Sequence, residues 1–122
     1  MKTKYVDGYV LTVPKNKFNT YKKMASEAKK IWMKYGALDY KECKINDVKP
    51  KWVTFTFPKM AKAKKNEDVW FSYITYKSKA HRDAVNKKVM ASMEKDKEKY
   101  KDLEMPFDMK RMAYAGFSVV VG

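Results

Sequence analysis

The sequence predicts a small α+β protein in which two helices cover one face of an antiparallel β-sheet. Three observations predict this fold class. Apolar residues alternate along several short segments, as in strands, and recur every three or four residues along two longer segments, as in amphipathic helices. The segments follow one another as strand, helix, strand, strand, helix, strand. With 122 residues, 45% of them hydrophobic, the chain suffices for a single domain, residues 1–122, with its own core.

The first half of the chain supplies a strand, a helix and a second strand. The segment Tyr5–Val13 is rich in β-branched and aromatic residues, and Pro14 closes it. Apolar residues form one stripe along Lys15–Tyr35, which predicts a helix that Gly36 ends. A second strand is expected over Ala37–Ile45.

The connection between residues 46 and 68 is too long for a bare loop, so a structured excursion is expected there. Within it, Trp52–Phe57 alternates like a strand, and Pro58–Lys65 fits a short helical turn.

The second half supplies a strand, a helix and a final strand. Val69–Tyr76 is apolar and aromatic throughout, which indicates a strand. Ser78 is expected to cap the second helix, Ala80–Met93, and the last strand is expected over Lys110–Val121.

This order of elements is typical of the split βαβ, ferredoxin-like arrangement, in which both helices cover the same face of the sheet. The strands supply aromatic and aliphatic residues to both faces, so a monomer would leave one large apolar face in water. Pairing two sheets face to face removes that face from water, and the sequence therefore predicts a homodimer.

Four segments carry a resemblance to a known family: residues 5–15 (YVDGYVLTVPK), 30–43 (KIWMKYGALDYKEC), 57–90 and 105–117 (MPFDMKRMAYAGF). Nearly end to end, the chain resembles the YbaA-like family of uncharacterised bacterial proteins. The resemblance implies a dimeric α+β barrel, a ferredoxin-like sheet closed against its twin, and it implies no activity. Proteins of similar fold include cofactor-independent monooxygenases and small-molecule-binding stress proteins, which makes the fold only an analogy for function.

The charge is strongly basic, with 28 basic and 14 acidic residues and a net charge of +14. Such a field attracts nucleic acid and anionic surfaces. Only Arg82 and Arg111 are arginines, however, whereas sites that grip phosphate favour arginine forks. We therefore favour a solvated lysine surface over a nucleic-acid interface.

Membrane, disulfide, metal and cofactor classes find little support. No apolar run approaches the roughly 20 residues of a membrane span. A single cysteine, Cys43, favours a reducing, cytoplasmic location, and its place inside a strand predicts a buried, inert thiol. One histidine and one cysteine cannot form a structural zinc site, and no cofactor or metal is expected.

Two acids lie in otherwise apolar strands. Asp7 shares a strand face with Tyr9, and Glu42 shares one with Tyr40. If both pairs faced the space between the sheet and its partner, they would line a polar pocket in which a buried carboxylate could act as a base. Alternatively, each acid pairs with a basic residue across the sheet, for which Arg111 is a natural partner.

The second helix carries a polar cluster near its start. His81 aligns with two valines one and two turns on, so it faces inward, and we favour a structural role over a role as a base. Arg82 and Asp83 are adjacent and are expected to have separate partners, with Asn86 one turn on. They form either a grip for an anionic ligand or, as we favour, ordinary surface ion pairs.

Several functions stay open at this stage. The favoured one is a homodimeric α+β barrel that binds a small molecule. The alternatives are a basic protein that binds nucleic acid or an anionic surface through the lysines of the first helix, a cofactor-independent monooxygenase-like enzyme, and a structural or regulatory module. The candidate ligand-binding residues are Asp7, Tyr9, Tyr40, Glu42, His81, Arg82, Asn86 and Arg111.

Overall fold

Four strands form one antiparallel sheet in the computed structural model, which describes residues 3–122. They are β1 (Tyr5–Pro14), β2 (Asp39–Lys44), β3 (Glu67–Tyr76) and β4 (Ala113–Ser118). Their order across the sheet is β2-β3-β1-β4, and each neighbouring pair is antiparallel. The long strands β1 and β3 therefore lie at the centre, and the short strands β2 and β4 lie at the edges.

Helices connect these strands. They are α1 (Phe18–Lys34), α2 (Phe57–Ala61), α3 (Lys79–Lys95) and α4 (Lys97–Tyr100), and single 3₁₀ turns precede α1 (Lys15–Lys17) and β4 (Met109–Arg111). The α+β class and the antiparallel sheet that the sequence predicts are thus confirmed. Within the described residues, no helix combines the length and the apolar character that crossing a membrane requires.

Local signals set the ends of the two long helices. The Oγ of Ser78 accepts a hydrogen bond from the backbone N–H of His81 at 3.0 Å, so Ser78 caps α3 as expected. Gly36 follows α1 with φ of 111°, a backbone conformation that glycine adopts without a steric cost.

The core lies between the sheet and the long helices. Alternate residues of β1 and β3 point toward α1 and α3, and we call this side of the sheet the helix face. Each fully buried aliphatic or aromatic side chain stabilises the fold by about 1.5–3 kcal/mol. One cluster consists of Ala37, Tyr40, Ile74, Tyr76, Val85 and Val89, and a second of Leu11, Val13, Tyr21, Ala25 and Trp70.

The opposite side of the sheet, the open face, is covered only in part: Thr12 and Val69, at the end next to α2, are buried, whereas apolar residues farther along β1, β3 and β4 are exposed. It holds a shallow cleft of about 470 Å³ on β1, β3 and β4. Phe71 is 42% exposed and Phe117 55% exposed. The lining residues include Val6, Val10, Phe71, Ala113, Ala115 and Phe117.

Two expectations about the edge of the sheet are wrong. Trp52–Phe57 does not form a strand, because Trp52 has a left-handed backbone (φ 72°) and Thr56 caps helix α2, which begins at Phe57. Cys43 is exposed rather than buried, because β2 is an outer strand and Cys43 lies opposite Phe71 on the open face.

The last strand is shorter than expected. The segment Met109–Arg111 forms a 3₁₀ turn instead of joining the sheet, and pairing with β1 begins at Ala113. This turn decides where Arg111 points.

Candidate functional site

Asp7 is a carboxylate in the interior of the sheet. It lies in β1, opposite Ile74 of β3 and Gly116 of β4, and its side chain is 0% exposed. Since Tyr9, Leu11 and Val13 of the same strand pack into the helix-side core, the alternation of β1 also turns Asp7 toward the helices. A buried carboxylate is costly unless other groups compensate its charge.

Arg82 supplies that compensation from the first turn of α3. Its Nη1 donates a hydrogen bond to Oδ1 of Asp7 at 2.7 Å, and the hydroxyl of Tyr114 donates to the same oxygen at 3.0 Å. The Nε of Arg82 also donates to Oδ1 of Asp83 at 2.7 Å, so the expectation that these neighbours have separate partners is wrong. The long arginine side chain bends back far enough to reach the adjacent carboxylate.

The pKa values of the cluster follow from this arrangement. Burial alone would lower the pKa of Arg82, but Asp83 and Asp7 outweigh burial and raise it. Burial, together with the hydrogen bond to Asp7, raises the pKa of Tyr114 to about 12. At neutral pH the guanidinium is therefore charged and the phenol is protonated.

The second oxygen of Asp7 has no partner. Within the described residues, no side chain or backbone group makes a hydrogen bond to Oδ2, although this atom is buried. Tyrosine rings crowd the site: Tyr5 lies 5.1 Å from the guanidinium of Arg82, and the rings of Tyr9 and Tyr114 are 4.9 Å apart. A buried acceptor without a donor costs about 1–3 kcal/mol, so Oδ2 is a place where a guest donor would gain a strong hydrogen bond.

Gly116 makes room for one of these rings. A Cβ at this position would lie 2.3 Å from the hydroxyl oxygen of Tyr5. The absence of a side chain on β4 therefore lets Tyr5 lie across the strand beside Arg82 and Asp7.

Glu42 forms a second carboxylate cluster on the helix face. It accepts hydrogen bonds from the hydroxyls of Tyr21 and Tyr40, each at 2.7 Å. Burial, followed by the charge of Glu42 and these hydrogen bonds, raises the pKa of both phenols. Both oxygens of this carboxylate are satisfied, unlike those of Asp7.

Tyr9 lies between the two clusters. Burial raises its pKa, and the charges of Asp7 and Glu42 add to that effect. Its partner in register is Ser72 of β3, which also lies opposite Glu42. The two predicted acid–tyrosine pairs therefore share one face of the sheet, but it is the helix face, so the expectation that they face the space between the sheet and a partner is wrong.

His81 and Asn86 hold elements together. The Nδ1 of His81 accepts a hydrogen bond from the backbone N–H of Lys77 at 3.0 Å, and its ring meets Tyr76 edge-on. The Oδ1 of Asn86 accepts from Nε1 of Trp32 at 3.1 Å, which ties α3 to α1. In neither case does the geometry need a ligand.

Arg111 lies away from both acids. Its guanidinium makes two hydrogen bonds to the carboxylate of Glu67, at 2.8 and 2.9 Å, and one to the backbone carbonyl of Lys62 at 2.8 Å. The expectation that Arg111 partners Asp7 or Glu42 is wrong, because the 3₁₀ turn places it beside the first residue of β3 instead.

Sequence reasoning missed three residues of these clusters: Tyr5, Tyr21 and Tyr114. Tyr21 lies in the apolar stripe of the first helix, and the spacing of that stripe does not indicate that its hydroxyl donates to Glu42. Tyr114 could be linked to Asp7 only through the register of β4 against β1, which a single sequence does not give. Among residues 3–122, no cluster of three or more histidine, cysteine or acidic side chains could hold a metal ion.

The fold and the clusters define a small α+β protein in which the long helices leave one sheet face open, and in which a carboxylate is buried on the other face. Comparison with known proteins extends this class to a family. The chain belongs to a family of proteins of unknown function, DUF1428, whose profile matches residues 4–109. The uncharacterised protein YbaA of Escherichia coli K12 is 43% identical over 118 residues, which cover 97% of both chains. YbaA of Shigella flexneri matches to the same extent, so the resemblance to a YbaA-like family is confirmed.

Proposed function

We propose that this chain is a homodimeric, ferredoxin-like protein that binds a neutral small molecule at Asp7. The observation that carries the proposal is the buried oxygen Oδ2 of Asp7, which lacks a hydrogen-bond donor among residues 3–122 while Oδ1 has two. A buried carboxylate oxygen without a donor lowers the stability of the fold, and a ligand that donates a hydrogen bond to it would restore that stability.

The ferredoxin-like assignment rests on the connections between strands. Helix α1 connects β1 to β2, and β3 lies between these two strands in the sheet. Helix α3 connects β3 to β4, and β1 lies between these two strands. Two interleaved βαβ units of this kind are the hallmark of the split arrangement. The short helices α2 and α4 are additions to that plan, and the chain forms it as one domain over residues 1–122.

The homodimer rests on the open face. Its aromatic and aliphatic residues form a continuous apolar surface across three strands, lined by Val10, Phe71 and Phe117 among others. Monomeric proteins seldom leave such a surface in water. A second copy placed sheet to sheet covers it and gives the dimeric α+β barrel that the family resemblance implies.

The surroundings of Asp7 specify the ligand chemistry. Arg82 already faces the carboxylates of Asp7 and Asp83, so it is poorly placed to take up a further anion. The ring of Tyr5 packs on the guanidinium of Arg82 and the ring of Tyr9 packs on that of Tyr114, so aromatic rings surround the carboxylate. A neutral, planar molecule with one hydroxyl or N–H donor therefore fits better than the anionic ligand considered from the sequence.

Thermal unfolding with matched probes tests the site. Phenol carries the required donor, and anisole is the same ring without it. Because only phenol can donate a hydrogen bond to Oδ2, we expect phenol, but not anisole, to raise the melting temperature of the wild-type chain. Ligand at about 100 times its Kd stabilises a fold by about 2.7 kcal/mol, which sets the size of the expected shift. Asp7→Asn, which replaces one acceptor oxygen by a donor, should abolish the shift.

Glu67→Gln is the matched control, since it alters the pair of Arg111 and Glu67 without touching Asp7. It should keep the response to phenol. Equal stabilisation by anisole, or an undiminished shift in Asp7→Asn, would reject Asp7 as the site.

The alternatives remain predictions. The lysines of α1 predict nucleic-acid binding that weakens steeply with added salt. A monooxygenase-like activity predicts consumption of oxygen with a bound substrate.

A further inference from the structure

The segment between β2 and α2, residues 46–56, is here called the arm. It carries aromatic and aliphatic side chains into water: Trp52 is 99% exposed and Phe55 70% exposed. The backbone of Trp52 is left-handed, with φ of 72°, a conformation that a tryptophan seldom adopts. A strained position that presents a fully exposed tryptophan indicates a contact that one copy of the chain does not provide.

The arm is continuous with the open face of the sheet. Residues of the arm, such as Val53 and Phe55, line an apolar cleft of about 380 Å³ together with Phe71 of the open face. Phe57, directly after the arm, packs edge-on against Phe71 with ring centroids 6.4 Å apart. The arm therefore lies beside the open face next to β2 and β3, where it would contact any molecule bound to that face.

The areas involved favour a second copy as that molecule. An aromatic side chain presents about 150–250 Å², so the exposed parts of Phe71 and Phe117 amount to roughly 200 Å². The exposed parts of Trp52 and Phe55 in the arm, and of Phe57 directly after it, add roughly 450 Å². A stable interface buries about 800 Å² on each partner, so the two sheet aromatics supply only part of that area and the five aromatic side chains together approach it.

We infer that the arm clasps a second copy of this chain, with Trp52 and Phe55 packed against the partner. The inference rests on the homodimer proposed above and adds the segment that makes the dimer stable. Because a two-fold interface uses the same patch on both copies, each arm packs on the other copy and the contact forms twice.

Acrylamide quenching of tryptophan fluorescence tests the inference, with the oligomeric state measured in parallel by sedimentation equilibrium. The difference between the wild-type chain and Trp52→Phe isolates the signal of Trp52. We expect Trp52 to be shielded from acrylamide in the dimer. Phe117→Asp, placed at an exposed position of an edge strand, should give a folded monomer in which Trp52 is freely quenched.

Trp52→Gly provides the matched affinity test, because glycine accepts the left-handed backbone and the fold is not strained by the change. Loss of an interface anchor should raise the dimer dissociation constant about tenfold or more. Lys51→Gly, at the neighbouring arm position, should leave that constant nearly unchanged.

The outcomes separate the two proposals. A dimer in which acrylamide quenches Trp52 freely overturns the role of the arm and leaves the homodimer intact. A wild-type chain that stays monomeric at micromolar concentration overturns the homodimer and the arm together. Shielding of Trp52 only after anionic lipid vesicles are added would assign the arm to a membrane surface and also overturn the inference.

Discussion

Among single residues, Asp7 has the strongest influence on the candidate site. Its carboxylate has no exposed surface, and its compensation comes from a single guanidinium and a single phenol, both at Oδ1. Removing one member of a buried ion pair leaves an uncompensated charge, which is far more damaging than removing both members. The stability of the site therefore depends on Arg82 far more than the count of its hydrogen bonds suggests.

Arg82→Met should destabilise the fold by about 3–5 kcal/mol, because Asp7 then stays buried with only Tyr114 as a donor. Urea unfolding measures the loss. Arg111→Met is the matched control and should cost less, because Glu67 keeps a hydrogen bond from the backbone N–H of Lys64 at 2.8 Å. Adding Asp7→Asn to Arg82→Met should recover part of the loss, and equal losses in the two single variants would contradict this account.

At the scale of elements, the sequence predicts those features that depend on neighbouring residues. The cap of α3 at Ser78, the end of α1 at Gly36 and the alternation of β1 are local patterns, and all three are present. Two features that depend on register or on a second element were predicted wrongly. The exposure of Cys43 follows from the edge position of β2, and the partner of Arg111 follows from a 3₁₀ turn that alternation does not reveal.

The candidate site divides in the same way. The alternation that turns Asp7 and Tyr9 to one face, and Tyr40 and Glu42 to one face, was visible in the sequence. That both pairs share the helix face follows from the pairing of β1 and β2 with β3, which only the fold supplies.

The pair of Glu67 and Arg111 gives the elements a dependence on pH. Its hydrogen bonds join the start of β3 to the turn before β4. Arg111 also donates to the backbone carbonyl of Lys62, which attaches the end of α2 to the same turn. Hydrogen bonding to Arg111 lowers the pKa of Glu67. Since the pKa is lower in the folded chain than in the unfolded chain, the pair stabilises the fold above the unfolded value, and this contribution is lost as pH falls through the folded value.

Urea unfolding from neutral to acidic pH should show this loss below about pH 4.3, the ordinary pKa of a glutamate. Glu67→Gln should be less stable than the wild-type chain at neutral pH, and the difference should shrink as the wild-type carboxylate is protonated. A difference that stays constant down to acidic pH would show that the ionised pair contributes nothing.

At the scale of the whole molecule, charge opposes the proposed association. Each copy carries a net charge of +14, so two copies repel one another at long range. The contacts that we propose for the dimer are apolar, and such contacts are largely insensitive to salt. The balance between a short-range attraction and a long-range repulsion therefore sets how the dimer responds to ionic strength.

The dimer should tighten as salt is added. The screening length falls from about 30 Å at 0.01 M salt to about 8 Å at 0.15 M, which removes most of the repulsion between two copies. Sedimentation equilibrium at these two salt concentrations should show a lower dissociation constant at the higher one. Lys22→Glu combined with Lys29→Glu lowers the net charge of each copy from +14 to +10, since each change removes one positive charge and adds one negative charge, and should flatten the response.

The sign of this dependence distinguishes the proposed dimer from the alternative that uses the same lysines. Binding of nucleic acid weakens with salt, because released counterions drive it, whereas an apolar dimer of like-charged copies strengthens. A chain that self-associates more weakly at 0.15 M than at 0.01 M salt would therefore be held together by attraction between unlike charges or by a bound polyanion. In that case the open face would not be the surface on which two copies meet, and the lysine face of α1 would become the first place to look for a partner.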